Sequence, residues 1–551
     1  MPTNGFSRSP IDKVIGRLMG LPKPGRYAKQ TVRIPLSDGV ELGADLYLPA
    51  GPAKGVLLVR GPYGRGAIMS LIFAKVYAGQ GYGVLFASSR GTADSGGDFD
   101  PMRTEASDGQ DVVVWMREQS WYPGRFATVG GSYLGHTQWA LLSNPPADLA
   151  ASVIQVGPHD FAEHTWGTGT FNLDFIGWSE QIASQSKTGI AAIIAQATSD
   201  RRVGSVRDSL PLADAAEEHF RETAPWVSQR LRTPDISDPY WRPMRHSEAI
   251  EKVATPVLLL TGWQDIFLRQ TFVQYERLRE RGVEVGMTVG PWTHTGFTSV
   301  AAPIMTREAI AWFDEKLAGH APARPSPIKV FVTGTDRWLE LPSWPPASVE
   351  QRLYLHPERL AADVVPADGP ELEFIYDPHD PTPTIGGPIL PGGGYRDDSA
   401  LAARGDVLAF TSDPLEADLT VIGTVQVKLA HHTQLPDADL FVRLSEVDLR
   451  GRSHNVTEGY QRLPRDRADA VIEFPLLPTA HCFRAGTRIR LLVAGGSFAQ
   501  FARNPGTGVN PLTTTDLRTN RHVVSLAGGA SVMTLPVVPH MFPPAVAPAS
   551  A

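Results

Sequence analysis

The strongest constraint on this chain is a succession of short, continuously apolar runs, each separated from the next by a stretch with helical spacing. They lie at residues 55–60 (GVLLVR), 83–88 (GVLFAS), 126–129 (FATV), 151–156 (ASVIQV), 256–261 (PVLLLT) and 285–290 (VGMTVG). Helix-like segments such as IMSLIFAKVYAGQ and ASDGQDVVVWMREQ fill the intervals between the first three. Strands alternating with helices of this length predict a mostly parallel sheet with helices on both faces. Residues 27–48 precede it and read as a hairpin, with alternating apolar positions about the turn Ser37-Asp38-Gly39.

The pattern breaks twice. Residues 157–250 carry helix-like segments and aromatics with no buried-strand signal, which predicts a helical cap inserted over the sheet, between a first part of the α/β domain at 1–156 and a second part at 251–320. After a Pro-rich link at 320–327, residues 328–551 are almost entirely short β-like runs between Gly, Pro and Asp turns, from IKVFVTG to TRIRLLVAGG. They predict an all-β sandwich of jelly-roll type.

With 551 residues the chain has room for two or three domains and an enclosed site. A formal net charge of -7 argues against nucleic-acid or anionic-membrane partners and leaves a small molecule or peptide as the expected substrate. Its single cysteine, Cys482, excludes an intramolecular disulfide and a Cys-based zinc cluster, and is expected to be a small buried residue. No apolar run reaches the ~20 residues of a membrane span, and the first residues show no secretory h-region. A cytoplasmic protein, monomer or homodimer, without metal or cofactor is the expectation.

One strand-to-helix junction stands apart: ATVGGSYLGH, residues 127–136. A serine nucleophile needs exposure, a histidine base and donors for an oxyanion, and a tight turn between strand and helix supplies the first. Gly130 and Gly135 give Ser132 small neighbours, and the helix that follows places backbone N–H groups beside the hydroxyl, starting with that of Tyr133. The spacing is G-x-S-x-x-G rather than the usual G-x-S-x-G, so the hexapeptide alone leaves a plain glycine-rich βα turn equally open. Its partners add weight. Asp265, in TGWQDIF, and His294, in GPWTHT, each follow one of the next strands, in the chain order Ser, Asp, His that hydrolases on such a sheet use.

GGSYLGHTQW, TGWQDIF and GPWTHT closely resemble the triad segments of the cocaine esterase and nonactin hydrolase family, whose relatives include X-prolyl dipeptidyl aminopeptidases and α-amino-acid ester hydrolases. The resemblance extends over nearly the whole chain, through Gly61-Pro62-Tyr63, Arg90-Gly91, Asp377-Pro378 and Arg503-Asn504-Pro505-Gly506. It implies an α/β hydrolase fold with a helical cap and a C-terminal jelly roll. It also implies Ser132 as nucleophile, His294 as general base and Asp265 as its orienting acid. The oxyanion hole would be the N–H of Tyr133 with the phenol of Tyr63, and Trp166, Trp178 and Phe267 would line an acyl pocket.

On this reading the chain is a serine carboxylic ester hydrolase acting on small apolar or aromatic esters. The enzymatic alternative, an α-amino-acid ester hydrolase or X-Pro dipeptidyl peptidase, needs acids near the pocket, for which Asp160, Glu163 and Asp174 are the candidates. A third reading is a carbohydrate-binding protein with an inert hydrolase domain, against which the intact serine, aspartate and histidine set speaks. His136 is expected to point into the packing and make a structural hydrogen bond. The group His159, Asp160, Glu163 and His164 is expected to start a helix at the cap entrance rather than bind a metal, and His431-His432 to face solvent.

Overall fold

The computed structural model describes residues 6, 9–185, 189–435, 437–463 and 469–539. A ten-stranded sheet organises the first part of the chain. Its strands are β1 (Tyr27–Pro35), β2 (Glu41–Pro49), β3 (Val56–Gly61), β4 (Gly83–Ser88), β5 (Phe126–Gly131), β6 (Leu149–Gln155), β7 (Val257–Gln264), β8 (Val285–Thr293), β9 (Ile328–Val332) and β10 (Arg337–Leu341). They lie in the order β1-β2-β4-β3-β5-β6-β7-β8-β9-β10. From β4 to β9 neighbours run parallel, and the antiparallel pairs are β1 with β2, β2 with β4, and β9 with β10.

The continuous apolarity of the central strands follows from burial on both faces. In β7, Val257 and Leu259 enter the core on one side while Leu258 and Leu260 enter the core on the other, and Val56, Leu58 and Leu57, Val59 divide β3 in the same way. The strand order reverses between β3 and β5, because β4 is added on one side of β3 and β5 on the other. In open sheets of this kind, ligands bind in the crevice outside the strand ends at that reversal.

The insertion between β6 and β7 is helical, with helices at Phe161–Trp166, Asp174–Ala183, Gly189–Asp208, Leu212–Phe220, Trp226–Arg232 and Ser247–Lys252. Asp160 caps the first of these, accepting the Glu163 N–H at 3.0 Å. That is the helix start read from the sequence. The cap core packs directly on Met102 and Tyr133 of the α/β domain and on Ala502 and Leu512 of the C-terminal part.

Among the described residues the C-terminal part is a β domain of thirteen strands in one connected hydrogen-bonded network, antiparallel except where Arg359–Ala361 meets Val407–Ser412. Two features differ from the sequence expectation. Ile328–Val332, expected to open this domain, instead pairs in parallel with β8 and extends the first sheet, with β10 beyond it. His431, expected to face solvent, is buried with its Nε2 3.0 Å from Nδ1 of His522, while His432 is exposed. Alternation along the strand Gln426–Thr433 turns one histidine in and the next out. Cys482 is buried, as expected.

Gly135 explains the unusual glycine spacing after Ser132. A Cβ at this position would sit 2.6 Å from the Cα of Gly157, on the loop after β6, whereas one at Gly130 would meet the Leu134 side chain at 2.4 Å. The extra glycine therefore serves helix-to-loop contact rather than the turn itself. Gly135→Ala, which in an open helix gains stability, should here cost about 1–3 kcal/mol, read as a lower urea midpoint at unchanged m-value.

Candidate active site

β5 ends at Gly131 and the next helix begins at Tyr133, so Ser132 alone makes the turn, with φ 58° and ψ −122°. A non-glycine residue holds that conformation only where its surroundings fix it. Here the Ser132 N–H donates to the Gln155 carbonyl on β6 at 2.9 Å, and the Ser132 carbonyl accepts from the N–H groups of Gly135 and His136. Pinned on both sides, the residue presents Oγ to His294, whose Nε2 lies 2.9 Å away.

The loops after β7 and β8 complete the relay. His294 Nδ1 lies 2.7 Å from Oδ1 of Asp265, and Oδ2 of Asp265 accepts the Thr261 hydroxyl at 2.7 Å. Asp265 is fully buried and His294 nearly so. With a carboxylate at Nδ1, that nitrogen carries the proton, which leaves Nε2 to accept from the serine hydroxyl.

Two further groups face Oγ. Tyr63, on the loop after β3, lies across the sheet reversal from the turn, and its phenol is next to the Ser132 hydroxyl. The indole N–H of Trp178 donates to the Tyr63 oxygen at 3.1 Å, leaving the phenolic proton available to another acceptor. Burial pushes the Tyr63 phenol above its ordinary value, so it remains a neutral donor. Tyr133 begins its helix, where the first N–H groups have no intrahelical carbonyl.

The side chain of Tyr133 reaches a buried network that the sequence did not announce. Its hydroxyl donates to Oε1 of Glu105 at 2.9 Å and accepts the Met102 N–H at 2.7 Å. Glu105 also accepts from Ser89 at 2.8 Å and from Arg60 Nη2 at 2.7 Å, and Arg60 Nη1 donates to the Glu105 carbonyl at 3.0 Å. Both members of this ion pair are buried.

Ser132 and His294 open into a cavity of about 420 Å³. The α/β domain contributes Phe267 and Phe297, the cap Phe161, Phe175 and Trp178, and the C-terminal domain Leu390. Phe267 packs its edge on His294 at 5.2 Å between centroids, and Trp178 stacks on Tyr133 at 6.1 Å. Trp166, expected as a wall, is not one. Its indole N–H donates to the Arg230 carbonyl at 2.9 Å and its ring packs on Phe171 inside the cap. Phe161 and His164, three residues apart, share the helix face that meets the cavity, and Trp166 falls on another face.

Sequence reasoning also passed over His164, Met102 and Leu390 as cavity residues. Burial lowers the His164 imidazole to about 3, so it stays neutral. Asp174 lies in the wall, whereas Asp160 is engaged with Arg245 at 2.8 Å and as a helix cap. His136 is fully buried 5.0 Å from the ring of His246, with its nitrogens toward the carbonyls of Pro158 and Met102, so it points into the packing as expected but makes no well-formed hydrogen bond. Among the described residues no cluster of three or more His, Cys, Asp or Glu side chains could hold a metal ion. None of the helices among them is long and apolar enough to cross a membrane.

A nucleophile-elbow geometry on an α/β sheet, closed by a helical cap and a β domain, defines a hydrolase of the α/β class. Residues 38–296 match the X-Pro dipeptidyl-peptidase (S15 family), and residues 320–532 match the X-Pro dipeptidyl-peptidase C-terminal non-catalytic domain. Together these two domains, the S15 peptidase domain and its C-terminal partner, take in most of the chain, and the serine hydrolases are the class they point to. It is 27% identical to the cocaine esterase of Rhodococcus sp. (strain MB1 Bresler), over 88% of this chain and 93% of that protein. An aminopeptidase from a marine sediment Thaumarchaeota archaeon shares its fold at a TM-score of 0.81 and 20% identity, covering 98% of each chain. An α-amino acid ester hydrolase does so at a TM-score of 0.80 and 21% identity, over 98% of this chain and 99% of that one.

Removing the carboxylate beneath the turn tests how far the site depends on it. Glu105→Leu strands the buried Arg60 charge and should lower stability by about 3–5 kcal/mol in urea unfolding, whereas Glu105→Gln, which keeps hydrogen-bonding capacity, should lose less.

Proposed function

We propose that this protein is a serine carboxylic ester hydrolase that works through an acyl-enzyme. The single observation that carries the reading is His294, which bridges Ser132 Oγ at 2.9 Å and Asp265 at 2.7 Å. In the first half-reaction Oγ attacks the ester carbonyl while Nε2 of His294 takes the serine proton. Asp265 holds the imidazole in the required tautomer and stabilises the imidazolium. The oxyanion accepts the Tyr133 N–H and the Tyr63 hydroxyl, donors fixed before the charge develops. His294 then gives its proton to the departing alkoxide, and water repeats the sequence to release the acid.

The aromatic cavity favours an apolar or aromatic acyl group, with Trp178 and Phe267 as walls. The same wall weighs on the alternative. An α-amino-acid ester hydrolase or X-Pro dipeptidyl peptidase, as the names of the relatives would have it, must bind a substrate ammonium, and among the described wall residues Asp174 is the one acid. Every group of the relay comes from one chain, so a monomer is competent and a homodimer is not required. The lone buried thiol suits the cytoplasm, and the antiparallel C-terminal domain is read as a jelly roll that closes the cavity with Leu390.

Purified protein should hydrolyse short p-nitrophenyl esters, and Ser132→Ala should reduce kcat by about 10⁴-fold or more; retention of activity in that variant rules out the assignment. Tyr63→Phe should lower kcat by about 10²-fold with little change in KM, as expected for a donor used in the transition state. Equal steady-state constants in the two proteins would take Tyr63 out of the mechanism.

A further inference from the structure

Asp174 is the one carboxyl group among the described residues of the cavity wall, and the relay does not use it. It is the first residue of the helix Asp174–Ala183, is 7% exposed, and lies among Phe161, Phe175, Trp178 and Leu390. Its two oxygens differ. Oδ1 accepts the N–H of Leu390 at 3.1 Å, which ties the cap to the C-terminal domain. Oδ2 is buried and has no hydrogen-bond partner. A buried polar atom left in this way is costly unless something completes it, and Asp174 is a wall residue of the cavity.

We propose that Asp174 selects the acyl group, presenting a carboxylic O–H through Oδ2 to an acceptor oxygen, keto or ether, on the acyl chain of the substrate. The assignment rests on the esterase reading above and deepens it. Because Oδ1 already accepts a backbone N–H, the proton of the neutral acid belongs on Oδ2. The surroundings favour the neutral form. Desolvation by the aromatic wall dominates and raises the group from its ordinary value to about 7, against the Leu390 N–H, Arg207 facing from the helix Gly189–Asp208, and the helix N-terminus, which all pull toward the carboxylate.

The other titratable groups around the cavity do not reverse this balance. His164 on the helix Phe161–Trp166 is held neutral by burial, and the phenols of Tyr63 and Tyr133 are held protonated. On the Leu390 side, Glu458 lies beside Gly387 with its charge paired to Arg443. The remaining ionisable wall residue, His294, belongs to the relay and acts alike on any acyl group.

The consequence is an acyl preference that fades with alkali. A raised folded-state value means the donor is present below about pH 7 and is lost as pH rises through it. The test compares p-nitrophenyl hexanoate with its 4-oxo and 5-oxo analogues, which share the leaving group, so the pH dependence of the shared chemical steps cancels in the ratio of kcat/KM. At a pH about one unit below 7, the favoured oxo ester should exceed the plain ester by about tenfold, the worth of one hydrogen bond, and the ratio should fall toward unity above pH 7. Asp174→Asn, which keeps a donor at the same place but does not titrate, should hold the ratio constant with pH. Asp174→Leu should abolish it.

The proposal is overturned if the wild-type ratio is flat or rises with pH, or if Asp174→Leu keeps the wild-type ratio. Should Asp174→Leu fail to fold, the Asp174→Asn profile decides, and a ratio that still falls through pH 7 overturns it. Hydrolysis of the plain ester without an oxo preference sinks this proposal alone, whereas no hydrolysis of any of the esters sinks the esterase reading and this proposal with it.

Discussion

The carboxylate of Glu105 is the point on which the site is mounted. It receives the Arg60 guanidinium from the end of β3, the Ser89 hydroxyl from just beyond β4 and the Tyr133 hydroxyl from the helix after the turn. Two strand ends and the helix after the turn are thereby fixed to one carboxylate on the face where the sheet order reverses. A buried ion pair adds little net stability by itself, since desolvation offsets most of its attraction. Its use here is positional. Tyr133 provides the backbone N–H beside Ser132, and anchoring its side chain settles where that N–H points.

Around this mount the cavity is assembled from parts that are far apart in the chain. The α/β domain supplies the relay and Phe267, the cap supplies Phe161, Phe175 and Trp178, and the β domain reaches over with Leu390. These parts are joined by backbone hydrogen bonds, Leu173 to Gln500 and Ala502 to Phe171 among them, so the cap is clamped between the other two bodies. The Asp174 bond to Leu390 belongs to the same seam and places a polar atom where the seam faces the cavity. The cavity wall in such an arrangement is a property of the interface between domains, whereas Ser132, Asp265 and His294 all stand on one of them.

What could be read in advance follows physical periodicity. The central strands announced themselves because burial on both faces makes them continuously apolar, and the cap because that signal stops. Strand Ser453–Leu463 was silent: it buries Asn455, Thr457 and Glu458, which bond with Arg396, Leu477 and Arg443, so polarity hid a buried strand. Ile328–Val332 was read as a strand but given to the wrong sheet, since periodicity tells what is buried and not against what. Trp166 was misplaced for a related reason. An aromatic residue in a cap helix can serve the helix core or the cavity, and only the rotation of the helix about its axis decides.

The sequence by itself determined the parallel sheet, the helical insertion, the β-rich end and the order of Ser132, Asp265 and His294, because each is written in local spacing and in which strand a loop follows. Tertiary structure alone decided that Gly135 is required by Gly157, that Glu105 and Arg60 brace Tyr133, and that Asp174 brings an unmatched oxygen to the cavity wall. Those facts depend on contacts between residues far apart in the chain. Such contacts leave no period in the sequence, because each is a single meeting of two surfaces.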